Sequence, residues 1–108
     1  MEPTSSRCTI ELSRDARKDL KKLRPHLAQV LRSIAVLETN PLAGHTLTGA
    51  LHGLRALAFS VMGSGAFRAV YGVLDDGAVC LIVVVGPHEN IYDKAERRVE
   101  SLRAAGIL

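Results

Sequence analysis

Residues 66–85, AFRAVYGVLDDGAVCLIVVV, decide the fold. Phe67, Ala69, Tyr71 and Val73 alternate with Arg68, Val70 and Gly72, the period-two signature of a strand with two different faces. Asp76 and Gly77 are the pair favoured in a type I′ turn, so the chain doubles back and 78–85 forms the next strand. That return strand is apolar at almost every position, as a strand buried on both faces must be, and it reads as the centre of the sheet.

Upstream, 54–62, LRALAFSVM, places Leu57, Phe59 and Val61 on one face and Ala56, Ala58 and Ser60 on the other, a further strand joined to 66–74 by the flexible Gly63, Ser64 and Gly65. Downstream, Gly86 and Pro87 end the central strand. Asn90 is placed to cap a helix whose Tyr92, Ala95, Val99 and Leu102 share a face and which stops at Gly106. At the other end of the chain, 8–12 alternates again, with Cys8, Ile10 and Leu12 on one side. Ser13 then caps a short basic helix carrying Ala16, Leu20 and Leu23, and Pro25 closes it and opens a second helix, striped by Leu27, Val30, Leu31, Ile34 and Leu37, to about Glu38. Turn formers fill 39–53, which reads as loop. The expected architecture is α+β: an N-terminal strand and helical hairpin, a three-stranded antiparallel meander, and a C-terminal helix. The sheet is expected to be built from hairpins, with the helices against one face.

The composition limits what such a domain does. At 108 residues the chain is a single domain, 1–108, and 47% hydrophobic with 23% charged residues belongs to a folding chain. Its longest apolar run, 79–85, is far shorter than a membrane span, and the polar start 1–7 lacks the apolar region of an export signal, so a cytoplasmic protein is expected. Phe59, Phe67, Tyr71 and Tyr92 are the only aromatics and there is no Trp, which argues against a platform for stacking several bases. Cys8 and Cys80 have no CxxC spacing and read as two buried thiols rather than a disulfide or a metal site. The net charge of +3 is compatible with an anionic partner without requiring one.

Polar residues at special positions supply the candidate chemistry. Arg68 leaves the sheet opposite Phe67 and Tyr71, beside Val70 and Gly72, which leave room for an anion; a guanidinium there holds a phosphate in two-pronged fashion, or else is an ordinary solvated strand arginine. In GPHENIYDKAERR, 86–98, His88 is the side-chain type suited to proton transfer near neutrality, Tyr92 follows four residues later, and Glu89 is placed to orient His88 or act as a base. The plainer reading makes His88 a surface or capping residue and Tyr92 part of the core. Arg55, Arg97 and Arg98, together with Arg14, Arg17, Lys18, Lys21 and Lys22, form a diffuse basic face that attracts RNA or an acidic protein, although Asp15, Asp19, Asp93, Glu96 and Glu100 partly cancel it. Gly63 to Gly65 lack the lysine and the following helix of a phosphate loop.

Taken in register, ELSRDARKDLKKL, LETNPLAGHTLTGALHGLR, FRAVYGVLDDG and VVVGPHENIYDKAERRV resemble the RelE/ParE superfamily of bacterial type II toxins, more its RelE side, over nearly the whole chain. The resemblance implies the βααβββα RelE-like fold and a ribosome-dependent mRNA endonuclease that inhibits translation. In that chemistry a 2′-hydroxyl attacks the adjacent phosphate without a metal or cofactor. It further implies a cognate antitoxin, with the ribosome and mRNA as targets, no membrane partner, and DNA contacted only through the antitoxin complex. Arg68 matches the family's arginine in the R-x-x-Y strand and Tyr92 the tyrosine opening the last helix. His88 stands where relatives carry arginine or histidine and takes the acid or base role, with Glu89 beside it. One departure is plain: relatives commonly carry two basic residues on the strand at 54–62, where this chain has Arg55 followed by Ala56, Leu57 and Ala58. A ParE-like gyrase inhibitor and a degenerate toxin acting as an antitoxin-bound co-repressor are the alternatives.

Overall fold

The computed structural model describes residues 7–108; the polar start read above lies almost entirely in 1–6, outside the described residues. Three helices and five strands follow in the order β1 (Thr9–Leu12), α1 (Arg14–Lys22), α2 (Leu27–Ala35), β2 (His45–Thr46), β3 (Leu54–Val61), β4 (Gly65–Leu74), β5 (Val79–Pro87) and α3 (Ile91–Ala104). Ser13 caps α1 as its sequence suggests, accepting the Ala16 amide at 3.1 Å. Pro25 sits in a 3-10 turn, Arg24–His26, before α2 rather than inside it. None of these helices is long and apolar enough to cross a membrane.

The strands form one sheet in the order β1-β5-β4-β3-β2. β3, β4 and β5 make the expected meander; β5 is an interior strand buried on both faces, between β1 and β4, while the middle place in the sheet belongs to β4. β1, however, joins β5 in parallel, Thr9 opposite Val79 and Leu12 opposite Ile82, so the sheet is mixed rather than wholly antiparallel. β1 has no hairpin partner, and the path of the helical pair between it and β3 sets its direction. The two-residue β2 adds an edge that the turn-rich 39–53 hid. The return after β4 is also wider than a two-residue turn: Leu74 pairs with Val79, and Asp75, Asp76 and Gly77 all have positive φ.

Helices cover both faces, not one. α1 and α2 pack over Phe67, Ala69, Tyr71, Cys80 and Ile82, while α3 covers Leu54, Ala56, Val70 and Val84 on the reverse. A β5 apolar on both sides requires this, because a single helical layer leaves half of it in water. Parity along β5 resets at a bulge, where Val70 pairs with Val84 and Tyr71 with Ile82, leaving Val83 as the extra residue.

Tyr71 anchors the 39–48 segment from inside the core. Its hydroxyl donates to the Pro41 carbonyl at 2.7 Å and accepts the Gly44 amide at 2.9 Å. Gly44 is the residue that permits this contact, since a Cβ there would lie 2.7 Å from the Ala56 oxygen and 2.9 Å from the Tyr71 ring.

Cys8 and Cys80 are free and buried, as their spacing suggests. Burial, then the hydrogen bond with Cys8, pushes the Cys80 thiol up to about 12, and burial raises Tyr71 above its ordinary 10.0. Both groups keep their protons in the folded state at a pH where the unfolded chain releases them, so stability falls as pH rises past about 9. The midpoint of thermal unfolding is expected to drop steadily from pH 9 to 11, and Tyr71→Phe to flatten that slope above pH 10. A midpoint constant over this interval would contradict the assignment.

Candidate active site

The site lies where β5 ends and α3 begins. His88 extends the β4–β5 pairing by one step, its amide donating to the Ala66 carbonyl at 3.1 Å. The chain then turns at Asn90, whose left-handed backbone (φ 56°) starts α3 without the side-chain cap that its identity suggests. Asparagine serves here because it tolerates that conformation.

Arg68 pairs with Ala58 on one side and with Gly86 on the other, so small residues flank it on both neighbouring strands. Parity puts its side chain on the α3 face, and His88 follows two residues beyond Gly86, exposed in the bend just past the end of β5. The guanidinium is half-buried, donates one bond to the Phe67 carbonyl at 3.1 Å, and has no ion-pair partner among the described residues. Its remaining donors are available to a phosphate.

Tyr92, in the first turn of α3, is half-buried on the same face and lines a hollow of about 380 Å³ with His45, Thr46, Leu47 and Glu96. Glu89 goes elsewhere: with Lys22, Lys94 and Asn90 it lines a separate cleft of about 330 Å³ between α1 and the β5–α3 corner. Arg68 and Tyr92 therefore lie on the α3 side of the sheet, but the hollow beside Tyr92 is lined by neither Arg68 nor His88, and Glu89 borders the α1 side.

Arg55 is not available to that group. It pairs with Tyr71 on the opposite face of the sheet, and its Nη1 donates to the Gly44 carbonyl at 2.7 Å and the Leu42 carbonyl at 3.2 Å. It clamps the 39–48 segment, so the structure offers a different role from the RNA contact its charge suggested.

The basic helix gains what Arg55 loses. Lys18, Lys21 and Lys22 are exposed on α1 together with Arg14 and Arg17, whereas Asp19 is turned inward to Arg98 of α3 and the half-exposed Asp15 lies at its edge. Arg98 donates from Nη1 to Asp19 Oδ2 at 2.7 Å and from Nη2 to Oδ1 at 3.0 Å, and its Nε lies 4.0 Å from Asp15. Those bonds to Asp19 hold the guanidinium firmly protonated, above its ordinary value. Asp19 Oδ2 also accepts the Val85 amide at 3.1 Å, and Arg98 donates to the Val83 carbonyl at 3.1 Å. β1 ends at Leu12, opposite Ile82, so these bonds satisfy the part of the β5 edge that it leaves open. Sequence reasoning missed this pair, although a signal exists: Asp19 stands three residues after Ala16, and Arg98 three after Ala95, each on the buried stripe of its helix.

Comparison with known proteins bears on this arrangement. Over residues 10–96 the sequence matches the family described as ParE-like toxin of type II bacterial toxin-antitoxin system. No curated protein matches it. Among solved structures, an arginine-to-alanine double mutant of the Escherichia coli toxin RelE in the free state is similar with a TM-score of 0.67 at 22% identity, covering 86% of this chain and 98% of that one. The RelBE2 toxin-antitoxin complex of Mycobacterium tuberculosis gives 0.62 at 26%, over 76% and 99%. The protein HP0892 of Helicobacter pylori gives 0.55 at 28%, over 75% and 94%.

Proposed function

The chain belongs to the RelE/ParE superfamily of type II toxins, and from that membership we propose that it is a RelE-like mRNA endonuclease acting at the ribosome and held in check by a cognate antitoxin. What supports this reading is Arg68 on the α3 face between Ala58 and Gly86, with His88 two residues beyond Gly86 and Tyr92 in the first turn of the helix that follows.

In this mechanism a transcript 2′-hydroxyl attacks the adjacent phosphorus and the 5′ oxygen leaves. Arg68 faces the phosphate, and its free N–H donors stabilise the negative charge that grows on the equatorial oxygens. His88 transfers the proton at the attacking or the leaving oxygen. Tyr92 lies beside the attacking hydroxyl and the neighbouring base. Glu89, in its separate cleft with Lys22, is left a secondary part. The target places the protein in the cytoplasm. The antitoxin partner follows from the system type and from relatives solved as toxin-antitoxin complexes.

The exposed cations of α1 supply a docking surface for ribosomal RNA. Replacing Lys18, Lys21 and Lys22 together with glutamine is expected to weaken binding to small ribosomal subunits and to lower the salt dependence of log K by about 2, near 0.7 to 0.9 per lost phosphate contact. A salt titration checks this, and an unchanged slope would remove α1 from the interface.

Inducible expression in a bacterial host with mapping of mRNA 5′ ends tests the function. Cleavage inside translated codons that disappears in His88→Ala establishes the nuclease. The alternative, a gyrase inhibitor, is favoured by the ParE-like description of the matched family and by the engagement of Arg55 in the 39–48 segment. Intact transcripts with double-stranded DNA breaks would establish it instead.

A further inference from the structure

The buried thiols of Cys8 and Cys80 take no part in the proposed chemistry, yet their Sγ atoms lie 3.0 Å apart in a site where the residues are only 3% and 0% exposed. We infer that the two cysteines are an oxidation site, which a hydroperoxide closes to an intramolecular disulfide, tying the edge strand β1 to the interior strand β5.

The register explains why the sulfurs meet. Thr9 faces Val79 and Ile10 faces Cys80, so Cys8 is a diagonal neighbour of Cys80 across the parallel ladder, and both belong to the core beneath α1 and α2. Forming the bond shortens the gap by about 1 Å, to the usual 2.05 Å. The movement falls to Cys8, which precedes an edge strand of four residues and whose amide donates to the Glu38 carbonyl at 2.7 Å.

The two thiols have unequal parts. Cys80 stays protonated near neutral pH, pushed up to about 12 first by burial. Cys8, at the sheet edge, meets the oxidant when β1 opens. Its thiolate attacks the hydroperoxide, an S–O bond forming as the O–O bond breaks, to give a sulfenic acid and an alcohol. The Cys80 sulfur then attacks the Cys8 sulfur; the S–S bond forms, and the hydroxyl leaves with the Cys80 proton as water. Overall, two thiols are oxidised and one hydroperoxide is reduced to alcohol and water.

Position predicts what the bond changes. Cys80 stands near the start of β5 and His88 just past its end, about 26 Å along an extended strand, and the sulfurs lie on the face away from α3. The disulfide therefore stabilises the domain without altering the Arg68–His88 face, and the inference stands whether the toxin acts on RNA or on gyrase. It closes a loop of 72 residues, a strong constraint on the unfolded chain.

The test uses the purified full chain treated with cumene hydroperoxide. Expected are a mass loss of two hydrogens, no alkylatable thiol after denaturation, a cross-linked peptide joining the two cysteines, and a melting temperature raised by about 10 °C or more. Dithiothreitol reverses all four, and Cys8→Ser and Cys80→Ser each abolish them. Mass and thiol count are read on the parent chain, so the result does not hang on how the variants fold. Two thiols still alkylatable after treatment, oxygen added to Cys8 without a cross-link, or a disulfide between two molecules would overturn the inference.

Discussion

His88→Ala is expected to lower the rate of mRNA cleavage on programmed ribosomes by about 10² to 10⁴, the usual contribution of a positioned acid or base. Arg68→Ala is expected to lose about 10² to 10³, the effect of removing one preorganised donor from developing charge. Arg68→Lys should recover only part of this, because an ammonium keeps the charge and not the planar fork. Single-turnover cleavage of a defined transcript measures all three. Both variants should fold, since His88 is exposed and Arg68 makes one bond to a neighbouring carbonyl. Melting temperatures within a few degrees of the parent, with antitoxin binding retained, would separate lost chemistry from lost structure. Glu89→Gln is the internal contrast: its carboxylate borders the α1 cleft, so it should change the rate by less than about tenfold. A His88→Ala protein that cleaves at the parental rate would eliminate this histidine from the reaction.

Asp19→Ala is expected to destabilise the domain by about 3 kcal/mol or more, the range seen when one member of a buried ion pair is removed. Asp19 is 8% exposed and Arg98 20% on its side chain, so the guanidinium left behind has little water to turn to. The Val85 amide loses its acceptor in the same step. With about 4 to 5 °C per kcal/mol for a chain of this size, the melting temperature should fall by about 12 °C or more. Loss of activity should follow indirectly, because this pair ties α1 and α3 to the strand that ends just before His88. Replacing both partners with apolar residues, Asp19→Leu with Arg98→Met, should cost about half as much or less, since no charge is then stranded. A single Asp19→Ala that melts with the parent would show the pair to be incidental.

Much of the fold is legible residue by residue, and the failures share a cause. The alternation through 66–74 and the apolar 78–85 predict the β4–β5 hairpin because a period of two is a local property of each strand. Ser13 and Gly106 likewise mark helix ends through bonds to their immediate neighbours. The direction of β1 and the second helical layer are not local. They depend on where a segment 70 residues away comes to rest, and nothing in 8–12 encodes that.

The candidate site divides in the same way. Arg68, His88 and Tyr92 stand out in the sequence because strand parity and the helix start after Pro87 fix their placement from nearby residues. The charge of Arg55 was equally visible, but its engagement by Leu42 and Gly44 depends on Tyr71 drawing the 39–48 segment onto the sheet. Read along the chain, Asp15 and Asp19 dilute the basic helix. In the folded molecule Asp19 belongs to Arg98, and the outward face of α1 carries Arg14, Arg17, Lys18, Lys21 and Lys22 against the half-exposed Asp15 alone. The sequence by itself thus determined every element but β2, the meander and the placement of the candidate residues, because these follow from short-range periodicity and turn geometry. Only the tertiary structure decided which charges are free, since an ion pair depends on a distance between helices on opposite faces of a sheet.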